Sequence, residues 1–478
     1  TKDEVPVQDI APPQVVTITL INLQALPEKE AWEELQRLTI EEKQKRFDLV
    51  KGPLLRINVL QLPDIPTAEG ARVQNYVFLL TVHHIIYDGW SMEVLTHELS
   101  TLYESFSLGR PSPLPHLPIQ YADFASWQRK WLGGKVLEQQ AAYWKQQLAG
   151  SPTLLDLPTD YPRPSIQRFQ GASLEFNLSS EITNQLKQLS QQTETSLFMA
   201  LFSAFAILLS RYSGQRDIVV GSPVVNRTQS QVEHLIGFFV NTLALRINLK
   251  GNPTFEEVLK QARQMVLGAY AHQDIPFEQL VEELQPERNL SQSPLFQVMF
   301  ILQNPPIANL ELSGLRVELL KQESVVAKFD LSLFIFETAQ DLTAVFEYNT
   351  DLFEQATIER IAGHLQTLIS GLVANPKLPI HELPLLTEVE QQQRQLWNET
   401  AADYPYDKTI GDLFEEQAEQ TPDHVAVVFE ERKLTYKELN DKANQVAHYL
   451  RDQYRIKSDD LVGVMLDRSE EMIVALLG

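Results

Sequence analysis

Hydrophobic and polar positions in the opening third of the chain follow two rhythms. Tyr76 to Val82 (YVFLLTV) is a Pro-free apolar run with the length and β-branched or aromatic content of a buried strand. It runs directly into His-His-Ile-Ile-Tyr-Asp-Gly at 83–89. Ser91 is then a candidate N-cap, and Val94, Leu95, Leu99, Leu102 and Phe106 recur at helical spacing. Pro111, Pro113, Pro115 and Pro118 end that helix and force an extended connector, after which a second helical stretch is predicted from about Tyr121 to Leu148. Proline with Asp and Thr between Pro152 and Pro164 reads as a linker between two lobes.

The second lobe is predicted to open with a strand near Leu174–Leu178 and a helix around Ile182–Leu189. Leu197 to Leu209 (LFMALFSAFAILL) is too short to cross a bilayer and reads as a buried helix, followed by a strand at Asp217–Val220. Thr254-Phe255-Glu256-Glu257 has the form of a capping box and opens a helix with Phe255, Val258, Leu259, Ala262 and Val266 on one face. Leu331–Phe336 and Leu342–Tyr348 flank a short polar turn, as an antiparallel pair does. After about Leu386 the chain turns polar, then aromatic and Pro/Asp-containing. From Ile410 it alternates helix, strand, turn, helix, strand, with a second capping box at Thr435-Tyr436-Lys437-Glu438 and a strand at Leu461–Leu466. That alternation predicts the start of an α/β domain.

Composition narrows the function. The 478 residues, 44% hydrophobic and 22% charged, are ordinary for a globular protein of about three domains. The formal net charge of −23 makes nucleic acid and membrane surfaces poor partners. Cysteine is absent, which removes disulfides, thiolate metal sites and cysteine nucleophiles together and fits a reducing compartment, the cytoplasm. The first residue, Thr1, and the last, Gly478 at the end of an apolar run, suggest a piece of a longer protein.

The cluster at 83–89 carries candidate chemistry. Consecutive strand side chains point to opposite faces, so one histidine is expected to be structural and the other to face a cavity. A neutral imidazole there can accept a proton from an amine or hydroxyl nucleophile, and Gly89 allows backbone to approach a substrate. Three readings compete: two core histidines with an ordinary Asp-Gly turn, a metal site, which the opposed faces disfavour, and an imidazole base in acyl transfer. Nothing local separates the first from the third.

The wider chain does. His83-His84-Ile85-Ile86-Tyr87-Asp88-Gly89-Trp90-Ser91 resembles the H-H-x-x-x-D-G signature of condensation domains of nonribosomal peptide synthetases, which are chloramphenicol-acetyltransferase-like acyltransferases. Tyr121-Ala122-Asp123-Phe124-Ala125-Ser126-Trp127 resembles the next condensation motif, and Ile236-Gly237-Phe238-Phe239-Val240-Asn241-Thr242, running to Arg246, the one after. His272-Gln273-Asp274-Ile275-Pro276-Phe277-Glu278 and Arg288 to Gln297 complete the order. Leu434-Thr435-Tyr436-Lys437-Glu438-Leu439 is similar to the first motif of adenylation domains.

The resemblance implies an α/β fold of two chloramphenicol-acetyltransferase-like lobes in a V-shaped pseudodimer. The expected N-lobe is 1–155, with its beginning and the family's first two motifs missing, and the C-lobe is 156–385. A linker at 386–409 leads to a truncated adenylation start at 410–478. It implies peptide-bond formation, the amine of an acceptor aminoacyl carrier attacking a donor aminoacyl or peptidyl thioester. His84 either takes the amine's proton or holds the amine in line. His83 is the inward structural partner, and Asp88 shapes the loop by pairing with an arginine, Arg246 being one candidate. The backbone N–H of Gly89 steadies a developing oxyanion. Asn241, Trp127 and Asp123 are expected to be structural or loop-shaping, as are His272 and Asp274.

No metal or bound cofactor is implied for this chain. Substrates arrive on 4'-phosphopantetheine of separate upstream and downstream carrier domains, and ATP with Mg belongs only to a complete adenylation domain, here in cis. The motif region at Ile236–Arg246 and Trp90 look most like domains taking an L-configured donor. The alternatives are a non-catalytic docking fragment and an epimerisation domain. The adenylation-like tail argues against the second, and a cyclising relative would carry Asp at 83 and 84.

Overall fold

The computed structural model of the chain describes residues 7–12, 15–66, 72–286, 289–303, 310–320, 326–338 and 341–478. They divide into two compact units, Thr1–Glu390 and Gln391–Gly478.

In the first unit, β1 (Ile18–Asn22) runs parallel to β2 (Leu55–Pro66), and α1 (Glu28–Gln44) lies between them in the chain. A parallel pair needs such a crossover, because a tight turn leaves the chain running antiparallel. β3 (Arg72–Val82) returns antiparallel on β2 and closes its ladder at Leu55–Val82. Leu60, Leu62 and Val77 form a small core with Ala31 and Leu35 of α1. After β3 come a short 3-10 turn, His84–Ile86, and α2 (Gly89–Ser107).

The N-cap of α2 is Asp88, and Ser91, expected to cap it, sits inside the first turn. The carboxylate reaches the third amide of the helix, so the helix begins before the apolar periodicity does. The stretch from Tyr121 to Leu148 is two helices, α3 (Tyr121–Trp131) and α4 (Lys135–Leu148), broken at Gly134 with φ 52°, a value that favours glycine. Ala141, Trp144 and Leu148 of α4 do not join the small core. They pack into the larger one, together with Leu155 of the Pro-rich connector.

That larger core surrounds a six-stranded mixed sheet. Its elements in chain order are β4 (Gly171–Leu178), α5 (Ser180–Gln192), α6 (Leu197–Ser213), β5 (Asp217–Val224), β6 (Asn241–Asn248), α7 (Phe255–Ala271) and α8 (Phe277–Leu284). β7 (Val298–Gln303), β8 (Leu331–Glu337), β9 (Leu342–Asn349) and α9 (Gln355–Ala374) follow, and the strand order is β4-β9-β8-β7-β5-β6. The expected pair of β8 and β9 is antiparallel, with Leu331 opposite Tyr348. α6 is buried on every side from Met199 to Ser210, with α5, α7 and α9 packed along it. A helix that is apolar all round belongs in such an interior. Thr254 and Glu257 form the expected capping box of α7. No single described helix is long and apolar enough to cross a membrane.

α10 (Glu388–Trp397) occupies much of the stretch expected to be a linker. The second unit contains α11 (Ile410–Gln420), a hairpin of β10 (Val425–Phe429) and β11 (Arg432–Thr435), α12 (Tyr436–Tyr454), capped by the box at Thr435 and Glu438, and α13 (Glu470–Leu477). The strand expected at Leu461–Leu466 does not form. An apolar run becomes a strand only on a neighbour's ladder, and no described strand pairs with it, so Leu461 and Met465 stand almost fully exposed.

Candidate active site

The two histidines lie beyond the last ladder pair of β3, so strand alternation does not separate them. The turn does. His83 caps the 3-10 turn, its Nδ1 accepting from the Ile85 N–H at 3.0 Å, which places the proton of the neutral ring on Nε2. Its ring meets Phe47 edge-on at 5.5 Å, and the Arg56 guanidinium covers that phenylalanine at 3.8 Å. His84 is exposed and turns to a different partner, Phe238, at 5.4 Å and 85°. Among the described residues no His, Asp and Glu side chains gather in a group of three that could hold a metal ion.

Asp88 organises the ground beneath them. Its Oδ1 accepts from the Ser91 N–H at 2.9 Å, the Ser91 hydroxyl at 2.7 Å and Arg227 Nη2 at 3.1 Å. Its Oδ2 accepts from the N–H groups of Phe239 at 2.9 Å and Val240 at 3.2 Å. Arg227 also donates to the carbonyls of Val232 and Leu235 and lies 4.0 Å over the Phe239 ring. Burial pulls its guanidinium below the ordinary value, against the upward pull of Asp88.

Arg246, the expected partner of Asp88, is elsewhere. It pairs with Asp217 across β5 and β6, at 2.8 and 2.7 Å, and donates to the carbonyls of Gln147 and Ala149 at the end of α4. Strand register decides this: Arg246 lies opposite Val219, two residues from Asp217, on the far edge strand of the large sheet.

Ser91 continues the clasp: its Oγ accepts from the Gly237 N–H at 3.0 Å and lies 2.9 Å from the Gly237 carbonyl, which shares the single hydroxyl proton with Asp88. Trp90 Nε1 donates to the Glu233 carbonyl, and the Tyr121 hydroxyl to that of Phe238 at 2.8 Å. A Cβ at Gly237 would collide with the Tyr121 ring, so only glycine lets these segments close. At Gly89 the opposite holds. A Cβ there would meet no atom within 4 Å, so open space lies beside the first turn of α2. As the first helical residue, Gly89 has an N–H without an acceptor in its own helix.

The family comparison decides what this arrangement belongs to. Residues 1–394 match the family model described as Condensation domain, and residues 414–478 match AMP-binding enzyme. The chain belongs to the condensation-domain family. A linear gramicidin synthase of Brevibacillus parabrevis is 48% identical over 480 residues, covering 100% of this chain and 6% of the relative. Malpinin synthetase of Mortierella alpina is 43% identical over 98% of this chain and 6% of its own length. The chain therefore spans a small fraction of these curated relatives. The solved X-domain from teicoplanin biosynthesis is 25% identical with a TM-score of 0.69, covering 80% of this chain and 83% of that one. A four-domain nonribosomal peptide synthetase bound to AMP and glycine has the same TM-score at 24% identity, over 92% of this chain and 33% of that one, a likeness of fold.

The other expected residues of this condensation domain each have partners of their own. Asn241 spends its whole amide: Nδ2 donates to the carbonyls of Gln273 and Ile275, both at 2.7 Å, and Oδ1 accepts from the N–H groups of Thr242 and Phe277. Asp123 accepts from the Gln120 N–H and completes the capping box of α3. Trp127 stacks on Trp131 at 5.2 Å and 12°, with 40% of its surface exposed. His272 stacks on Tyr143 at 3.9 Å, and Asp274 exchanges two hydrogen bonds with Gln140 of α4. Arg288 lies outside the described residues, while Gln297 holds the connector through Leu155 N–H and the Thr153 carbonyl.

Sequence reasoning passed over Arg227, Ser91, Tyr121 and Phe238 as site residues. Arg227 stands in a polar loop without periodicity, and its sole signal was a lone arginine shortly before the Gly237 motif.

Proposed function

We propose that this chain joins two carrier-bound units by an amide bond. The acceptor amine attacks the donor thioester carbonyl carbon, the C–S bond breaks, and the carrier thiol leaves with the proton the nitrogen gives up. Phosphopantetheine arrives with the substrates, on carrier domains upstream and downstream, and an adenylation domain follows in cis. The observation that carries this reading is the exposed His84 imidazole in the turn that leads into α2, whose first residue, Gly89, borders open space.

His84 carries or positions the amine's proton, and the Gly89 N–H steadies the oxyanion. His83 and Asp88 are structural: one caps the turn, the other clasps the helix start to residues 237–240. Loading both carriers of a module containing this chain and measuring amide product by mass spectrometry tests the proposal. His84→Ala is expected to lower the rate by about a hundredfold to ten-thousandfold, the range of a general base, and a smaller loss points to positioning. Full activity of His84→Ala would sink the proposal.

A further inference from the structure

Among the described residues His84 makes no side-chain hydrogen bond, yet a ring offered as base or positioner needs a defined orientation. The sole described aromatic ring packed against it is Phe238, 5.4 Å away and nearly perpendicular. Phe238 is 38% exposed, whereas Phe239 beside it is 3% exposed and lies under Arg227. The alternation is that of an extended segment with one aromatic turned in and one turned out.

The main chain carrying the outward ring is held at consecutive residues. Ser91 Oγ exchanges hydrogen bonds with both the N–H and the carbonyl of Gly237, the Tyr121 hydroxyl donates to the Phe238 carbonyl, and Asp88 accepts from the Phe239 N–H. A large exposed ring on so fixed a backbone adds little to the core, and its edge-to-face contact is with the candidate catalytic imidazole.

We propose that Phe238 is a positioning residue for His84, transmitting the rigidity of the Asp88–Arg227–Ser91 clasp to the imidazole through ring contact. This rests on the acyl-transfer reading of His84. Perpendicular aromatic pairs carry enough interaction to bias ring orientations by roughly two- to tenfold beyond simple burial. Removing the ring frees the imidazole, and misplacement of a reacting group lowers turnover more than binding.

The test compares Phe238→Leu and Phe238→Tyr with the parent in the complete module with both carriers loaded. Phe238→Leu is expected to lower kcat about tenfold with KM within about twofold of the parent, and Phe238→Tyr to recover most of that loss. Histidine ring-proton spectra of the chain, with the His84 signal assigned by its loss in His84→Gln, give a readout independent of activity. The ring-current shift of His84 is expected to vanish in Phe238→Leu and return in Phe238→Tyr. An active parent with Phe238→Leu within twofold in kcat, or an unmoved His84 signal, overturns the positioning role. An inactive parent module overturns the acyl-transfer reading instead, and the ring-current result then decides the contact alone.

Discussion

Asp88 Oδ1 lies 3.1 Å from Arg227 Nη2, and both side chains are almost sealed from solvent, at 1% and 2% exposure. The same carboxylate caps α2 and holds the amides of Phe239 and Val240, so one buried charge fixes the start of a helix against a segment about 150 residues further along the chain.

Asp88→Ala is therefore expected to destabilise the first unit by about 3–5 kcal/mol, because it leaves the buried Arg227 charge without its counter-charge and three amides without their acceptor. Denaturant unfolding measures this. A double-mutant cycle should find coupling between Asp88 and Arg227 and none between Asp88 and Arg246, which pairs with Asp217. Coupling to Arg246 would refute the assignment.

The two histidines should separate by observable. His83→Ala removes the acceptor of the Ile85 N–H and is expected to cost about 0.5–2 kcal/mol of stability. His84→Ala, at an exposed position without a hydrogen bond, is expected to stay within about 0.5 kcal/mol of the parent while amide formation collapses. The reverse pattern in paired unfolding and product measurements would exchange their roles.

Asn241→Ala strips four hydrogen bonds, three of which join β6 to the 273–277 loop. Each buried group left unpaired costs about 1–3 kcal/mol, so this variant should rank among the most destabilising single changes outside the apolar core. Amide hydrogen exchange should show the loss at Phe277, whose N–H loses its acceptor; unchanged protection there would contradict the assignment.

Burial pushes the Asp274 carboxyl above its ordinary value, against the smaller lowering effects of Gln140 and His272. The folded state thus binds this proton more tightly than the unfolded state, and the group's contribution to stability falls as pH rises through the carboxylate range. Asp274→Asn, which keeps an oxygen acceptor for Gln140, should be more stable than the parent at neutral pH, and the gap should close at low pH. Unfolding midpoints across pH measure it, and a gap that widens on acidification would reverse the sign.

The sequence by itself determined the elements whose signals are local. The capping boxes at Thr254 and Thr435, the all-apolar α6 and the β8–β9 pair each depend on residues close together in the chain, where backbone hydrogen bonds and side-chain periodicity are set by near neighbours. The ordered motifs likewise singled out residues 83–89. Only the tertiary structure decided which arginine meets Asp88, which core receives α4, and whether 461–466 becomes a strand. Arg227 and Arg246 are equivalent as charges on a string of letters, and strand register and the burial of whole segments separate them. The apolar face of an amphipathic helix such as α4 suits either core until packing chooses one. A strand needs a neighbour that its own residues cannot supply. His84 and Phe238 show the same division: the imidazole was legible as a motif, but the ring against it comes from another segment, held there by hydrogen bonds from distant side chains to its main chain that no local pattern encodes.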